Sequence, residues 1–392
     1  MASPDSLSPL HQQMIGWRHD IHRHPELAYG EVRTAGMVAE LLRSFGFDQV
    51  TEGIGGTGVV GELTGTLEGP ADALPPLGFR ADMDALPIQE DNSFDHRSRH
   101  DGIMHACGHD GHTAMLLGAA RHLSATRQFA GKLVFIFQPA EEGKAGAKAM
   151  IQDGLFDRWP VRGVFGLHNM PGLPEGAIAV SGGPVMAAAD EIIVRITGRG
   201  GHAAAPDQGR DPILAGASFV QSCQQIVARN VAPWDTGVVS ITVFQGGDTF
   251  NVTPEQAQLD GTVRFFRPET GAMIRDRLDA IRKGIALAHD VDIELDYLPG
   301  YPPTVNDKAA AETAKAAAAA ALGAGRALVQ DPRMFAEDFS YMLQACPGAY
   351  GFIGNGTSRS LHSACYDFND KILPNGAAWF VTLAETIPTS RP

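Results

Sequence analysis

The chain has 392 residues, of which 44% are hydrophobic and 19% charged, and its formal net charge is −14. This composition is typical of a folded globular protein and excludes a disordered one. Because the chain is longer than one hydrophobic core usually spans, we expect two domains. The absence of a long basic run argues against nucleic-acid binding, for which clustered Lys and Arg supply most of the affinity.

The sequence also limits where the protein is expected to work. Residues 1–14 are polar and lack the apolar core of a signal peptide, and no run of about 18 apolar residues could span a membrane. The four cysteines lack the spacing of a disulfide framework. We therefore expect a cytoplasmic protein with no membrane partner, whose cysteines stay reduced.

Predicted helices and strands alternate in the first part of the chain. Helices are predicted over residues 17–28, 34–45 and 112–123, and strands over 58–63, 77–83, 132–137 and 161–167. The strand at 132–137 is apolar without alternation, which is typical of a strand covered on both faces. This order predicts an α/β domain with a mixed, mostly parallel sheet.

The pattern changes after the Gly- and Pro-rich segment 171–184. The next predicted elements are a strand, a helix, two strands, a helix and a strand, over residues 190–196, 212–229, 238–245, 257–266, 270–288 and 292–298. This βαββαβ order is that of a ferredoxin-like (α+β) domain.

The chain is therefore predicted to contain one domain inserted into another. A helix at 309–322 and a buried strand at 349–354 return to the α/β arrangement. We predict an α/β domain formed by residues 1–184 and 299–392, with the ferredoxin-like domain inserted over 185–298.

Residues 104–112 read MHACGHDGH and place a thiol and an imidazole two positions apart, at Cys107 and His109. Cys and His bind borderline-soft divalent metals such as zinc. The adjacent glycine lets the backbone bend so that both side chains can point to one place. A Cys-x-His pair alone is weak evidence, but His168 follows a predicted strand and His362 lies in a loop near the C-terminus.

Two adjacent carboxylates, Glu141 and Glu142, come shortly after the predicted strand 132–137. Neighbouring side chains of an extended backbone point in opposite directions, so one can bind a metal while the other transfers protons. A solvated acidic loop is the alternative interpretation. Because ligands collect at the carboxyl ends of strands in open α/β sheets, we predict a metal-dependent amidohydrolase site here.

Two other patterns are interpreted as structural. Residues 53–58 match the dinucleotide fingerprint GxGxxG, but a strand-like run follows them, whereas that motif binds a pyrophosphate only where it opens a helix. We therefore predict a turn. His22 and His24 are interpreted as structural side chains near a helix end.

Together the motifs resemble those of the M20 metallopeptidases. They are ADMDALP at 81–87, MHACGHDGH at 104–112, QPAEEG at 138–143, GLHN at 166–169, GGHAA at 200–204 and the segment 361–370, in the order seen in that family. The chain looks most like the amidohydrolase branch, which contains hippurate hydrolases, N-acyl-amino-acid deacylases and auxin-conjugate hydrolases. The resemblance implies a metal-binding α/β domain with an inserted lid domain that often mediates dimerisation.

The resemblance also implies a set of metal ligands. Carried over residue by residue, they are Cys107, His109, Glu142, His168 and His362. Cys107 would bridge two divalent ions, where many relatives use Asp. Manganese or zinc is expected, and cobalt or nickel is also compatible with this donor set.

The remaining implied roles concern catalysis and substrate binding. Glu141 would be the general base, and His202 matches the lid histidine that contacts the scissile group, sometimes across a dimer interface. Asn251 and Arg264 match lid positions that hold the substrate carboxylate. The chain departs from many relatives at Asp207, where they have His, so the substrate contacts near the lid hinge differ.

The leading hypothesis is a binuclear amidohydrolase that converts N-acyl or N-aroyl amino acids, such as hippurate, into a carboxylic acid and a free amino acid. The resemblance further implies a homodimer formed through the lid. A dipeptidase or carboxypeptidase on the same scaffold is the alternative enzyme, although no motif dedicated to a substrate ammonium is evident. A non-catalytic protein that binds a small acid is the alternative from another class, and the retention of Glu141 argues against it.

Overall fold

A computed structural model describes residues 2–67 and 75–386 of the chain, which form two compact units. The first unit comprises the described residues of Met1–Val185, Val305–Asp331 and Asp338–Pro392. The second unit comprises Met186–Thr304 and Pro332–Glu337. The predicted domain limits stay a prediction, because compactness alone does not show that a unit folds or works independently.

Helices and strands alternate through most of the described residues. The α-helices are α1 (Pro4–Arg23), α2 (Val32–Ser44), α3 (His109–Thr126), α4 (Glu141–Lys144), α5 (Gly146–Gln152), α6 (Leu155–Arg158), α7 (Pro212–Arg229), α8 (Pro268–His289), α9 (Lys308–Leu322), α10 (Phe339–Ala345) and α11 (Leu373–Thr386). The strands are β1 (Gln49–Ile54), β2 (Gly58–Thr64), β3 (Leu77–Asp82), β4 (Lys132–Gln138), β5 (Gly163–Pro171), β6 (Ile178–Ala179), β7 (Gly183–Met186), β8 (Ala189–Thr197), β9 (Gly201–His202), β10 (Gly237–Gln245), β11 (Val252–Thr253), β12 (Gln256–Phe265), β13 (Asp292–Tyr301), β14 (Thr304–Asn306), β15 (Ala327–Leu328) and β16 (Gly348–Gly356).

The first unit is built on an eight-stranded sheet in the order β1-β2-β4-β3-β5-β16-β6-β15. Its central strands β4, β3, β5 and β16 are parallel, whereas β2 pairs antiparallel with β1 on one side and with β4 on the other. The central strands are buried along almost their whole length, as the apolar run of β4 predicted for that strand. The prediction of an α/β domain with a mixed, mostly parallel sheet is confirmed.

Helices α1, α3 and α11 pack on one another in the core of the first unit. Helix α3 is buried on almost all sides, which explains why small residues such as Gly118 and Ala120 alternate with larger ones along it. A Cβ on Gly118 would lie 2.3 Å from the Sδ of Met14 in α1, so any larger residue there would force the Met14 side chain to move. This packing holds the N-terminus of α3 against the end of the sheet.

The N-terminal helix differs from its predicted extent. The prediction placed a helix at residues 17–28, whereas α1 spans Pro4–Arg23. Ser3 caps the helix through its side chain, Pro4 supplies the first turn, and buried Leu7 and Met14 continue its apolar stripe through a mostly polar sequence. The helix ends before Pro25, because a residue that precedes proline disfavours the helical conformation.

Strand β5 also extends further than predicted. The prediction ended the strand at residue 167 with His168 following it, whereas His168 lies inside β5. Residues His168, Asn169 and Met170 remain in the strand because they pair with Phe352, Ile353 and Gly354 of β16. This pairing with a strand distant in the sequence was not visible in the local pattern.

The glycine-rich segment at 53–58 is a turn, as predicted. It connects β1 to β2, which pair antiparallel with Ile54 opposite Gly58. A Cβ on Gly55 would lie 2.6 Å from the backbone nitrogen of Met150, so the glycine there permits close packing of the hairpin. Because no helix follows, the dinucleotide-binding geometry is absent from this described segment.

The second unit has a four-stranded antiparallel sheet in the order β10-β12-β8-β13. With α7 and α8, this is the ferredoxin-like arrangement that the sequence predicted. Ile192, Val194 and Ile196 of β8 alternate inward and form the core together with Phe219 of α7 and Leu278 of α8. In the described residues, no helix combines the length and the apolar character needed to cross a membrane.

Candidate metal centre

Six of the predicted site residues lie together in the first unit. They are Cys107, His109, Glu141, Glu142, His168 and His362. Their side-chain donor atoms fall into three groups, within each of which all atoms lie within 4.8 Å of one another: Cys107 with His109 and His168, Cys107 with Glu142 and His362, and His109 with Glu141 and Glu142. The Cys107 thiol is therefore common to two groups of three donors.

Cys107 and His168 face each other across the buried part of this cluster. The Cys107 Sγ lies 3.4 Å from the His168 Nε2. The His168 Nδ1 lies 2.6 Å from the carbonyl oxygen of Asn169, so it carries the proton and donates to that oxygen. Burial and the neighbouring His112 lower the pKa of His168 well below its usual value, so the ring is neutral. Its Nε2 lone pair is thereby available to a metal.

His109 is oriented by Asp84. The His109 Nδ1 lies 2.9 Å from the carbonyl oxygen of Asp84 and 3.2 Å from its carboxylate oxygen Oδ1, and donates to them. The opposite nitrogen, Nε2, is buried without a hydrogen-bond partner and lies 4.0 Å from the Glu141 Oε2. A buried nitrogen with no partner, on a ring whose other nitrogen is held by a carboxylate, is the arrangement of a metal-binding histidine.

The charges around the cluster favour a cation. Burial lowers the pKa of His109, but the carboxylates of Asp82 and Asp84 outweigh burial and raise that pKa to about 10. Burial, reinforced by Glu142 and Glu141, raises the pKa of the Cys107 thiol well above its usual value. Without a positive ion, the site therefore retains protons on both groups. A divalent cation would replace those protons and leave the thiolate and neutral imidazole as ligands.

His362 is the most exposed member of the cluster. Its Nε2 lies 3.2 Å from the Glu142 Oε1, and 53% of its side chain is exposed. Its backbone is left-handed, with φ 62°, and its N–H donates to the carbonyl oxygen of Ala106, next to Cys107. This backbone bond holds the C-terminal loop against the segment that carries Cys107.

The backbone at Cys107 is fixed by Asn169. The Asn169 Nδ2 donates to the Cys107 carbonyl oxygen at 2.6 Å, and the Asn169 Oδ1 accepts from the Tyr366 hydroxyl. Gly108 has φ 89°, and a Cβ there would lie 2.4 Å from the Asn169 Nδ2. Residue 108 must be glycine for both reasons, and its left-handed turn sets the Cys107 thiol and the His109 ring toward the same place.

Glu141 and Glu142 occupy the single turn α4 after β4. Glu141 is 6% exposed, and its Oε1 accepts from the Asp338 N–H at 3.4 Å. Glu142 departs from helical geometry, with ψ 84°, so the two adjacent carboxylates do not project as in a regular helix. Both nevertheless lie within 4.8 Å of His109 at their donor atoms.

The sequence interpretation gave no role to three other polar residues of this region. Asp82, Asp84 and His112 are buried, and the His112 Nδ1 lies 2.6 Å from the Asp82 Oδ1. Asp82 is also paired with the buried Arg80 at 2.7 Å. Two signals could have revealed them: Asp82 and Asp84 are two positions apart at the end of a strand, and His112 lies one helical turn after His109.

A second buried network lies behind the N-terminus of α3. The Arg18 guanidinium contacts Asp110 at 2.8 Å, Asp367 at 2.5 Å and Asp370 at 3.2 Å. His22, interpreted from the sequence as structural, is fully buried, with its Nδ1 2.8 Å from the Asp110 Oδ2. Asp110 adjoins His109, so these contacts support the helix end that presents that ring.

The other three predicted site residues lie in the second unit. His202 and Asn251 are exposed on neighbouring chain segments, because β9 pairs with β11 and places Val252 opposite His202. The His202 Nδ1 accepts from the Ala204 N–H at 3.1 Å, so the neutral ring carries its proton on Nε2. Arg264 is half-buried in β12, opposite Val238 of β10, and burial lowers the pKa of its guanidinium.

Comparisons with known proteins agree with this geometry. Residues 78–386 match the sequence profile of peptidase family M20/M25/M40. The chain is 42% identical over 368 residues to the hippurate hydrolase of Campylobacter jejuni, covering 94% of each chain. It is 38% identical over 372 residues to the N-acetyl-L-cysteine deacetylase of Bacillus subtilis, covering 94% of this chain and 86% of that one.

A solved structure extends the comparison to three dimensions. A dinuclear metal-binding peptidase of the M20 family from Bacillus subtilis is 33% identical, with a TM-score of 0.82, covering 96% of this chain and 98% of that one. The predicted resemblance to the M20 family, and to its amidohydrolase branch, is confirmed.

Proposed function

The chain belongs to peptidase family M20/M25/M40 and is a hydrolase of its amidohydrolase branch, and we propose that it cleaves the amide bond of N-acyl or N-aroyl amino acids. The products are a carboxylic acid and a free amino acid. The similarity to a hippurate hydrolase and to an N-acetyl-L-cysteine deacetylase supports this substrate class. The observation that carries the proposal is the thiol of Cys107, which is common to two groups of three donors.

The donor set fits two divalent ions. Cys107, His109 and His168 would contribute to one ion, and Cys107, Glu142 and His362 to the other, with the thiolate shared. The unpartnered Nε2 of His109 supports this assignment. Manganese or zinc is the proposed metal, because thiolate and imidazole suit zinc and carboxylates suit manganese, and cobalt or nickel is also compatible with this donor set. When bound, such ions polarise an amide carbonyl and lower the pKa of water from about 15.7 towards about 7.

Glu141 acts as the general base in the proposed mechanism. Its carboxylate is almost buried and lies beside the donor groups, but it belongs to neither of the groups that contain Cys107. It accepts a proton from the attacking water and delivers it to the nitrogen of the leaving amino acid. The Asp338 N–H bond to Oε1 limits the rotation of this carboxylate during the two transfers.

Residues of the second unit serve the substrate in this proposal. His202 donates from Nε2 to the developing oxyanion, which its hydrogen bond from Ala204 to Nδ1 permits. Asn251 and Arg264 bind the carboxylate of the amino-acid part, for which a guanidinium offers paired donors. In this proposal the second unit acts as the lid and as the surface of a homodimer.

The proposed compartment is the cytoplasm, because its reducing conditions keep Cys107 as a free thiol.

The test is the release of amino acid from hippurate and from a small panel of N-acyl amino acids. Protein stripped by a chelator is compared with protein refilled with manganese or with zinc. Release that depends on metal, with two ions bound per chain, supports the proposal. Release from free dipeptides alone would replace the substrate class by a dipeptidase, and the absence of metal binding would contradict the proposed centre.

A further inference from the structure

The turn that carries Glu141 and Glu142 has an unfavourable backbone. Ala140, with φ 55°, and Ala145, with φ 56°, are both in the left-handed region, and Gly143 between them has φ 74°. Residues with a Cβ disfavour this region, and they remain there only where the surrounding structure imposes it. Something outside the turn must therefore hold the backbone that presents the general base.

Three buried carboxylates bind backbone N–H groups of this turn or of the start of helix α5, which follows it directly. Glu31 accepts from Ala140 at 2.9 Å, Asp84 accepts from Glu142 at 2.8 Å, and Asp338 accepts from Ala147 at 2.8 Å. Each of the three is at most 1% exposed. We call Glu31, Asp84 and Asp338 the carboxylate cradle.

Glu31 differs from the other two members of the cradle. Asp84 also binds His109, and Asp338 also binds the side chains of Arg80 and Gln138, so their substitution would disturb the metal ligands or the core. Glu31 precedes α2, far away in the sequence, and its second oxygen accepts from the Thr57 hydroxyl at 2.6 Å. Among the contacts described for the catalytic turn, Glu31 makes one, which is the hydrogen bond from the Ala140 N–H.

We propose that Glu31 is a positioning residue for Glu141, and that it acts by holding the left-handed Ala140 through its N–H. This proposal rests on the assignment of Glu141 as the general base. Burying a carboxylate costs desolvation free energy, so Glu31 is expected to have a role other than filling space. The hydrogen bond from the N–H of Ala140, the residue before Glu141, supplies that role, and it is strengthened when Glu31 is ionised.

The side chain's protonation does not remove this contact. Burial raises the pKa of Glu31, although the Thr57 hydroxyl and the Ala140 N–H oppose that rise. Either form keeps an oxygen that can accept from Ala140. Glutamine at this position also keeps such an oxygen, and it is therefore the conservative variant in the test.

The experiment compares Glu31→Ala, Glu31→Gln and Thr57→Val in the full-length, metal-loaded protein. We expect Glu31→Ala to lower kcat about 10- to 100-fold while KM and metal content stay within about twofold of wild type. Glu31→Gln should restore most of kcat. Thr57→Val is the matched control, because it removes the other hydrogen bond of the same carboxylate but leaves the Ala140 bond, and its kcat should stay within about threefold of wild type.

Amide hydrogen exchange of residues 141–147 provides a readout that needs no turnover. Exchange in Glu31→Ala should be faster than in wild type or Thr57→Val, because the turn has lost one of its anchors. If Glu31→Ala does not fold, Glu31→Asp takes its place, since it keeps the charge but shortens the reach by one methylene.

Several results would overturn the proposal. These are a wild-type kcat in Glu31→Ala, an equal loss in Thr57→Val, or a loss of kcat that merely follows a loss of metal. If the wild-type protein hydrolyses no N-acyl amino acid, the proposed function fails. The exchange measurement still decides whether Glu31 holds the turn, and equal exchange in all variants would show that it does not.

Discussion

Four candidate residues show the clearest contrast between the two units. In the first unit, Cys107 and His168 are buried and held by hydrogen bonds to Asn169. In the second unit, His202 and Asn251 are exposed, and the Ala204 N–H is the contact that orients the His202 ring among the described residues. Groups that must converge on an ion need a rigid surrounding, whereas groups that meet a substrate resemble ordinary surface residues until it binds.

The largest expected effect tests the rigid region. Glu141→Gln should lower kcat for hippurate by about 10²–10⁴-fold, because it removes proton transfer, while both metal ions stay bound. Steady-state kinetics and metal analysis on the same sample measure the two quantities. A wild-type rate would remove Glu141 from its role as the base, and a loss of metal would identify it as a ligand.

The next effect tests the exposed region. His202→Ala should lower kcat by about 10²–10³-fold with the metal content unchanged, since one oxyanion donor is lost. His289→Ala, at the end of α8 in the same unit, serves as the control. An unchanged kcat in His202→Ala would show that this exposed ring takes no part in the reaction.

A smaller effect concerns metal affinity. Asn169→Ala should weaken metal binding about 10- to 100-fold, because the Cys107 carbonyl and the Gly108 turn lose their anchor. The control is Asn306→Ala, another buried Asn that binds backbone atoms of Tyr350 and Ser181. Titration of the stripped proteins with metal gives both affinities. Equal weakening in the two variants would indicate a general loss of stability instead.

The smallest effect concerns substrate recognition. Arg264→Met should lower kcat/KM about 10-fold for substrates with a free carboxylate, and little for their amide-capped analogues. Arg195→Met, whose side chain pairs with Asp296 on the same sheet, is the control. Losses of similar size on both kinds of substrate would exclude Arg264 from carboxylate binding.

Much of the fold could be predicted because local signals determine it. Helix α7 spans the predicted residues 212–229, since Asp211 caps it and Pro212 occupies its first position. The unbroken apolar run of β4 identified a buried strand. The early start of α1 was missed because its apolar stripe is sparse, and the full length of β5 was missed because a strand distant in the sequence extends it.

The residues of the candidate site also differ in whether a local sequence pattern identifies them. Cys107 and His109 were recognisable because their spacing and neighbouring glycine constrain the chemistry locally. Glu31 was not, because nothing in its sequence surroundings indicates that it binds the Ala140 amide more than 100 positions away. The lid residues His202, Asn251 and Arg264 were proposed only from the family resemblance, because a single polar side chain of this kind carries no distinctive local pattern.

The position of β16 in the sheet has a consequence for folding during synthesis on the ribosome. This strand lies between β5 and β6 but is made after the whole of the second unit's continuous segment, Met186–Thr304. During synthesis, the edge of β5 that pairs with β16 therefore keeps its backbone N–H and C=O groups unpaired until a strand about half a chain later has been made. His362 follows β16, so a nascent chain gains its full set of candidate donors only after both β16 and the second unit's continuous segment have been made. Metal loading by the full donor set would then have to follow the synthesis of the second unit's continuous segment.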